Sequence, residues 1–242
     1  MKHSRPRIAI TARFHPDTRS YRVGEEYVEA IVRSNGQPYI VPFTESTVPD
    51  DLLSNVDGLL LTGGEDIDPA FCGNTPRLDD YPYYPLRDQF ELSLAECALR
   101  RGLTTLGICR GCQILYVATA GKLIADIPTA VGTQVLHRIS RTATSLHSVA
   151  LESGSKVRQA YQQAAVTITS YHHQGLLVDN ASRGTWQVSA TSEDGLAEAI
   201  ELIGPAWIVG VLWHPELPMD RSGGTSDKLI AEFVARAGGS DV

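Results

Sequence analysis

No apolar run in the 242 residues approaches the roughly 20 that a helix needs to cross a bilayer, so no membrane-spanning helix is expected. Cysteine is scarce. Cys72, Cys97, Cys109 and Cys112 are too few to staple a chain of this length, which argues against a disulfide scaffold. Positive charge is in deficit as well: 21 Lys and Arg against 28 Asp and Glu leave a net charge of −7. A surface of that sign repels a phosphate backbone, so nucleic acid is not expected as a partner. The basic opening, Met1-Lys2-His3-Ser4-Arg5-Pro6-Arg7, enters a short strand-like run and lacks the apolar stretch and cleavage site of a secretory signal. Together these absences predict a cytoplasmic protein. Repeats, low-complexity tracts and linkers are missing too, so residues 1–242 are expected to form one domain around a sizeable core.

What is present is alternation. Arg7–Ala12 reads as a strand. Val23–Ser34 carries Tyr27, Val28, Ile31 and Val32 at helical spacing, and Asn35-Gly36 stops it. Pro38–Val41 is a second strand, Asp50–Asn55 a short helix, and Gly58–Leu61 a continuous apolar run of the kind buried in a parallel sheet. Leu86–Arg101 predicts an amphipathic helix with Phe90, Leu94, Cys97 and Ala98 inward. Thr105–Ile108 is the next strand and Gln113–Ala120 the next helix. Such alternation predicts an α/β fold with a mostly parallel sheet covered on both faces. In the second half the strand candidates Ser148–Leu151, Val166–Thr169, Trp186–Ser189, Ala197–Ile200 and Trp207–Trp213 have few helices between them. Antiparallel additions to the sheet are therefore expected there. Thr225–Ala237 closes the chain as an amphipathic helix.

The chemistry centres on Gly107-Ile108-Cys109-Arg110-Gly111, placed between a strand and a helix. This is the thiol counterpart of a nucleophile elbow. A tight turn pushes the sulfur out above the sheet, the flanking glycines relieve the crowding such a turn creates, and the helix N-terminus favours thiolate. A thiolate nucleophile needs a base, and the base needs an orienter. Trp213-His214-Pro215-Glu216 supplies both: on an extended segment His214 and Glu216 point to the same side. Glu216 then holds one ring nitrogen of His214 and leaves the other for Cys109. Leu61-Thr62-Gly63-Gly64-Glu65-Asp66-Ile67-Asp68-Pro69 follows a buried strand, where a glycine N–H, paired with that of Arg110, suits a developing oxyanion. A metal site at Glu65, Asp66 and Asp68 is a weak alternative, because calcium-loop spacing is absent. No cofactor is needed for this chemistry, and no metal is expected.

The order Thr-Gly-Gly-x-Asp-x-Asp-Pro, Gly-Ile-Cys-Arg-Gly-x-Gln and Trp-His-Pro-Glu resembles the class I glutamine amidotransferase-like superfamily, and within it the γ-glutamyl-γ-aminobutyrate hydrolase type of cysteine peptidase. Pro85-Leu86-Arg87-Asp88, Asp126-Ile127 and His172-His173-Gln174 extend the likeness over nearly the whole chain. The resemblance implies a flavodoxin-like three-layer α/β/α core and hydrolysis of a small γ-glutamyl amide through a thioester. It implies Cys109 as nucleophile, His214 as acid/base and Glu216 as its orienter. Gly64 and Arg110 are implied as oxyanion donors, and Arg110, Gln113 and His173 as contacts for the glutamyl end. The expected partner is a small γ-glutamyl substrate, and a homodimer would be ordinary.

Two alternatives accompany this reading. Cys112 stands where an apolar residue is expected and creates a Cys-x-x-Cys spacing, which raises a redox role or a Cys109–Cys112 regulatory disulfide. The same triad would also serve a glutaminase subunit that delivers ammonia to a partner synthase. Tyr81, Tyr83 and Tyr84 either shape a pocket for the leaving amine or only pack their loop. His172 and His173 either meet substrate or cap a turn. His137 and His147 are expected to be structural or exposed, and His15 sits in the first loop near the active edge.

Overall fold

The computed structural model describes residues 5–73, 82–140, 142–181, 184–217 and 227–239. Tyr81 and the start of the closing helix at Thr225 lie outside them. The chain begins with β1 (Arg7–Thr11), then a hairpin of β2 (Arg13–His15) and β3 (Ser20–Arg22) that sequence periodicity did not reveal. Next come α1 (Glu25–Arg33), β4 (Gln37–Val41), α2 (Pro49–Leu53) and β5 (Gly58–Leu61). Asn35 ends the α1 segment with φ 64°, the left-handed stop its sequence calls for. The loop after β5 holds α3 (Pro69–Cys72), capped by the Asp68 carboxylate on the Ala70 N–H. Then follow α4 (Pro85–Arg101), β6 (Thr105–Ile108), α5 (Arg110–Val117) and α6 (Ile127–Val131).

The second half holds β7 (Ser145–Leu151), α7 (Lys156–Tyr161), β8 (Ala165–Ser170), β9 (Leu176–Leu177), α8 (Val178–Ala181), β10 (Trp186–Ser192), β11 (Leu196–Leu202), β12 (Ile208–Val211) and α9 (Asp227–Ala237). Among the described residues one sheet runs β4-β1-β5-β6-β12-β11-β10-β7-β8, with β9 pairing β11. The first five strands are parallel, and the remainder join antiparallel, as the strand-rich second half predicts. Within the parallel part the strands, counted in chain order, stand 2-1-3-4-5, the flavodoxin-like arrangement.

Apolar side chains on both faces explain why the central strands read as continuous runs. Ile8, Ile10, Leu60, Leu106 and Val209 face one core with Tyr27 and Ile31 of α1 and Leu229, Ile230 and Phe233 of α9. Ala9, Leu59, Leu61 and Ile208 face the other, under Phe90, Leu94 and Ala98 of α4 and Ile114 and Leu115 of α5. The period of two divides the strand residues between two helix layers. α4 departs from its expected pattern. Its C-terminal turns bury apolar residues, but its first turns bury Arg87, Asp88 and Glu91.

Two glycines let the elbow form. A Cβ on Gly111 would lie 2.2 Å from the Leu61 carbonyl oxygen, and one on Gly107 would lie 2.5 Å from the Gly111 carbonyl oxygen. Backbone is rigid at such contacts, so no rotamer relieves them. Gly111→Ala should therefore lower stability in urea denaturation by at least about 1–3 kcal/mol, the usual cost of overpacking. Leu146→Ser, at a 59% exposed position, should stay within about 0.5 kcal/mol of wild type. Equal stabilities for the two variants would refute this account of the elbow.

Candidate active site

β6 and β12 are parallel neighbours, with Ile108 opposite Val211. Cys109 is one residue past β6 and His214 three past β12, so both emerge at the C-terminal edge of the sheet, where α/β folds bind ligands. The Cys109 N–H donates to the Val211 carbonyl at 2.8 Å, which ties the elbow to the histidine-bearing strand. Cys109 has φ 52° and ψ −107°, a strained conformation for a residue with a side chain, of the kind held at functional sites. Its carbonyl accepts from the Cys112 and Gln113 N–H groups and so starts α5. The thiol is 7% exposed and opens into a small cavity that Gly64, Arg110, Gln113, His173 and His214 also line.

His214 Nδ1 lies 2.6 Å from Glu216 Oε1. The pair meets in a turn rather than on the extended segment the spacing suggests: the Leu217 N–H returns to the His214 carbonyl at 3.2 Å. Pro215 fits the second position of such a turn. Nε2 of His214 is buried and has no aligned hydrogen-bond partner, although the Cys109 sulfur is close enough to influence it. Burial lowers the imidazole pKa, but the Glu216 carboxylate, followed by Cys109, outweighs burial and holds it well above the ordinary value.

Sequence periodicity assigned Tyr27 to the core, yet it is also part of this site. Its hydroxyl accepts from the Gly63 N–H at 3.1 Å, and burial, then Glu216, raises its pKa well above the usual value and keeps it a neutral phenol. Gly63 is therefore occupied. Among the described residues no backbone carbonyl takes the Gly64 or Arg110 N–H. A Cβ on Gly64 would meet Arg87 Nη1 at 2.2 Å, so a larger residue there would have to displace the buried Arg87 guanidinium.

The Arg110 side chain differs from expectation. Its Nη1 pairs with Glu91 and its Nη2 with Asp88, with all three side chains buried. Both terminal nitrogens of the guanidinium are committed inward, Nε is buried without a partner, and the backbone N–H has no backbone acceptor among the described residues. Arg87 completes the network, with Nε 2.8 Å from Glu91 Oε1 and Nη1 2.6 Å from Glu65 Oε2. Nη2 of Arg87 also donates to the Gly63 carbonyl at 3.2 Å. The residues after β5 are thus held to α4 and α5. Gln113 Nε2 donates to the Gln174 carbonyl at 3.4 Å, and His173 Nε2 lies 2.9 Å from Asp66 Oδ1. Glu65 and Asp66 are therefore engaged by Arg87 and His173, and Asp68 caps α3.

Cys112 offers little to redox chemistry. It is buried, its thiol pKa is pushed well up by burial, then by Cys109 and Glu198, and all four cysteines are free. Its sulfur would be 2.8 Å from a Cβ on Gly210, so it fills the gap over that glycine as a small core residue.

Comparison with known proteins decides the family. Residues 6–216 match the profile of Peptidase C26. This chain belongs to the peptidase C26 family. Among its relatives, Rv2859c of Mycobacterium tuberculosis, provisionally named a glutamine amidotransferase, is 34% identical over 227 residues, covering 90% of this chain and 71% of its own. The γ-glutamyl-γ-aminobutyrate hydrolase PuuD of Escherichia coli K12 is 30% identical over 205 residues, 79% of this chain and 77% of its own. The glutaminase domain of Trypanosoma brucei CTPS, solved with bound acivicin, superposes with a TM-score of 0.66 at 15% identity, covering 98% of this chain and 95% of that one. At that identity the likeness is one of fold. The chain is thus a glutamine amidotransferase-like hydrolase of the C26 family, and none of its described helices is long and apolar enough to cross a membrane.

The raised His214 pKa has a definite pH consequence. The imidazolium's contribution to stability is complete below the unfolded value of about 6.5 and is lost as pH rises through the higher folded value. Glu216→Gln removes the largest attraction, so the His214 titration followed by NMR should move to lower pH. An unmoved titration would mean that Glu216 does not set the state of the ring.

Proposed function

We propose that this C26 protein hydrolyses the γ-glutamyl amide bond of a small γ-glutamyl amine, such as γ-glutamyl-γ-aminobutyrate, with Cys109, His214 and Glu216 as its triad. The observation that carries the reading is the strained Cys109, facing an imidazole whose other nitrogen is 2.6 Å from Glu216. Cys109 attacks the side-chain carbonyl of the γ-glutamyl group. The Gly64 and Arg110 N–H groups receive the oxyanion, and loss of one such donor commonly costs about 10²–10³ in rate. His214 gives its proton to the departing amine as the C–N bond breaks, leaving a γ-glutamyl thioester. Water, deprotonated by His214, then releases glutamate and restores the thiol.

Two cavities meet at His214. The one at Cys109 is small, about 80 Å³, so a γ-glutamyl group requires movement at its rim, where the exposed Arg13 is a long side chain free to yield. Gln113 and His173 line this side and serve the glutamyl end. The other cavity, about 520 Å³, lies beyond His214 and is lined by Arg13, Arg22 and Tyr27. It suits the departing amine, and its two arginines suit an amine that carries a carboxylate. The chain works as a single catalytic domain on a small molecule.

A panel of γ-glutamyl amides, including glutamine, tests this with wild type, Cys109→Ala and His214→Asn. Cys109→Ala should lose turnover by at least about 10⁴-fold and His214→Asn by about 10²–10⁴-fold. Substrates whose amine bears a carboxylate should rank first. Turnover that survives in Cys109→Ala would overturn the mechanism, and a preference for glutamine would shift the reading to ammonia supply.

A further inference from the structure

Three histidines expected to be structural, exposed or loop residues converge on one buried carboxylate. His137 precedes β7, His147 lies on β7, His172 follows β8, and Glu198 comes from β11, fully buried. His137 Nδ1 is 2.9 Å and His147 Nε2 3.2 Å from Glu198 Oε1, and His172 Nε2 is 3.4 Å from Oε2. Only the His147 contact is aligned as a hydrogen bond. His137 Nδ1, His172 Nε2 and Glu198 Oε2 are buried without an aligned partner.

His172 makes the difficulty explicit. Its Nδ1 is 3.0 Å from the Gln174 carbonyl, which can only accept, so Nδ1 carries the hydrogen. In the neutral ring Nε2 is then a lone pair facing a carboxylate oxygen, Glu198 Oε2, 3.4 Å away. Two buried acceptors that face each other call for positive charge between them, a proton or a metal ion. The His137 and His172 ring centres are only 4.9 Å apart, so two imidazolium charges would repel here, whereas one metal ion serves both rings.

We propose that His137, His147, His172 and Glu198 form a closed site for one divalent cation of the zinc class. The ligand atoms of His137, His147 and Glu198 already lie within 4.8 Å of one another. His137 Nδ1 and His147 Nε2 lie 2.9 and 3.2 Å from one oxygen, Glu198 Oε1, close to the roughly 3.3 Å edge of a tetrahedron with zinc–nitrogen bonds near 2.0–2.1 Å, and His172 Nε2 approaches the other oxygen, Oε2, at 3.4 Å. Ligating histidines usually give their second nitrogen to a carboxylate or carbonyl. His137 Nε2 is 2.9 Å from Asp194 Oδ2, and His172 Nδ1 meets the Gln174 carbonyl. Four protein ligands leave no open position, so the site is structural, and it ties the segments around β7, β8 and β11 together.

Chelator-treated, dialysed protein titrated with zinc, and separately with cobalt(II), tests this. One equivalent per chain should bind, cobalt should show the intense visible bands of tetrahedral coordination, and zinc should raise Tm. Cys109→Ala removes the competing thiol and must still bind that equivalent. His147→Gln should lose it, and Asp194→Asn should bind about 10- to 100-fold more weakly. The proposal falls if wild type takes up no equivalent and melts identically in zinc and in chelator. It falls equally if uptake disappears in Cys109→Ala, and neither result bears on the hydrolase reading.

Discussion

The close passage of Gly111 over the Leu61 carbonyl is the constraint on which the remaining geometry depends. It brings the start of α5 down onto the end of β5, so the elbow and the Gly63-Gly64 loop share one edge of the sheet. With α5 seated there, the Cys109 backbone has no relaxed alternative and the sulfur stands above the sheet. Strain of this kind, of order 1–3 kcal/mol, persists only where the surroundings enforce it. The enforcing contacts are backbone on backbone, which explains why glycine occupies both flanks.

Beneath the elbow lies a second constraint of another type. Arg87, Asp88, Glu91 and Arg110 are all nearly or fully excluded from solvent. Burying one such charge alone is strongly unfavourable, so each depends on the others, and removing any single member leaves an uncompensated charge. Such a network adds little net stability compared with an apolar core, but it allows few arrangements. The Gly63 carbonyl and Glu65 are among its contacts, so the loop that offers the Gly64 N–H inherits that lack of freedom.

Much of this was legible from residue order. The runs at 7–12, 58–61 and 105–108 became central parallel strands because both faces of each are apolar, a pattern that periodicity registers well. Gly-x-Cys-x-Gly between strand and helix, and His-Pro-Glu after a strand, mark local geometry that depends on residue types nearby in sequence. The rest depended on contacts between distant residues. The β2–β3 hairpin is short and half solvated, so no apolar alternation announces it. Arg110 read as a substrate contact because nothing in its own neighbourhood reveals Asp88 and Glu91, some twenty residues earlier on α4. Tyr27 fits the helical apolar stripe of α1, and only the fold shows that its hydroxyl reaches Gly63. His137, His147, His172 and Glu198 are spread over more than sixty positions, and no spacing rule joins them.

The His214 N–H donates to the Thr169 carbonyl of β8 at 2.9 Å. β8 is four strands away from β12 in the sheet order, about 19 Å if the sheet were flat, so the antiparallel half must curl round to make this bond. His214 is therefore held from two sides, by β12, which carries it beside β6 and Cys109, and by β8 at the far end of the antiparallel half. In the proposed mechanism the separation of imidazole and sulfur then depends on how stiffly the antiparallel half holds its curl, which makes a feature of the architecture a condition of the chemistry.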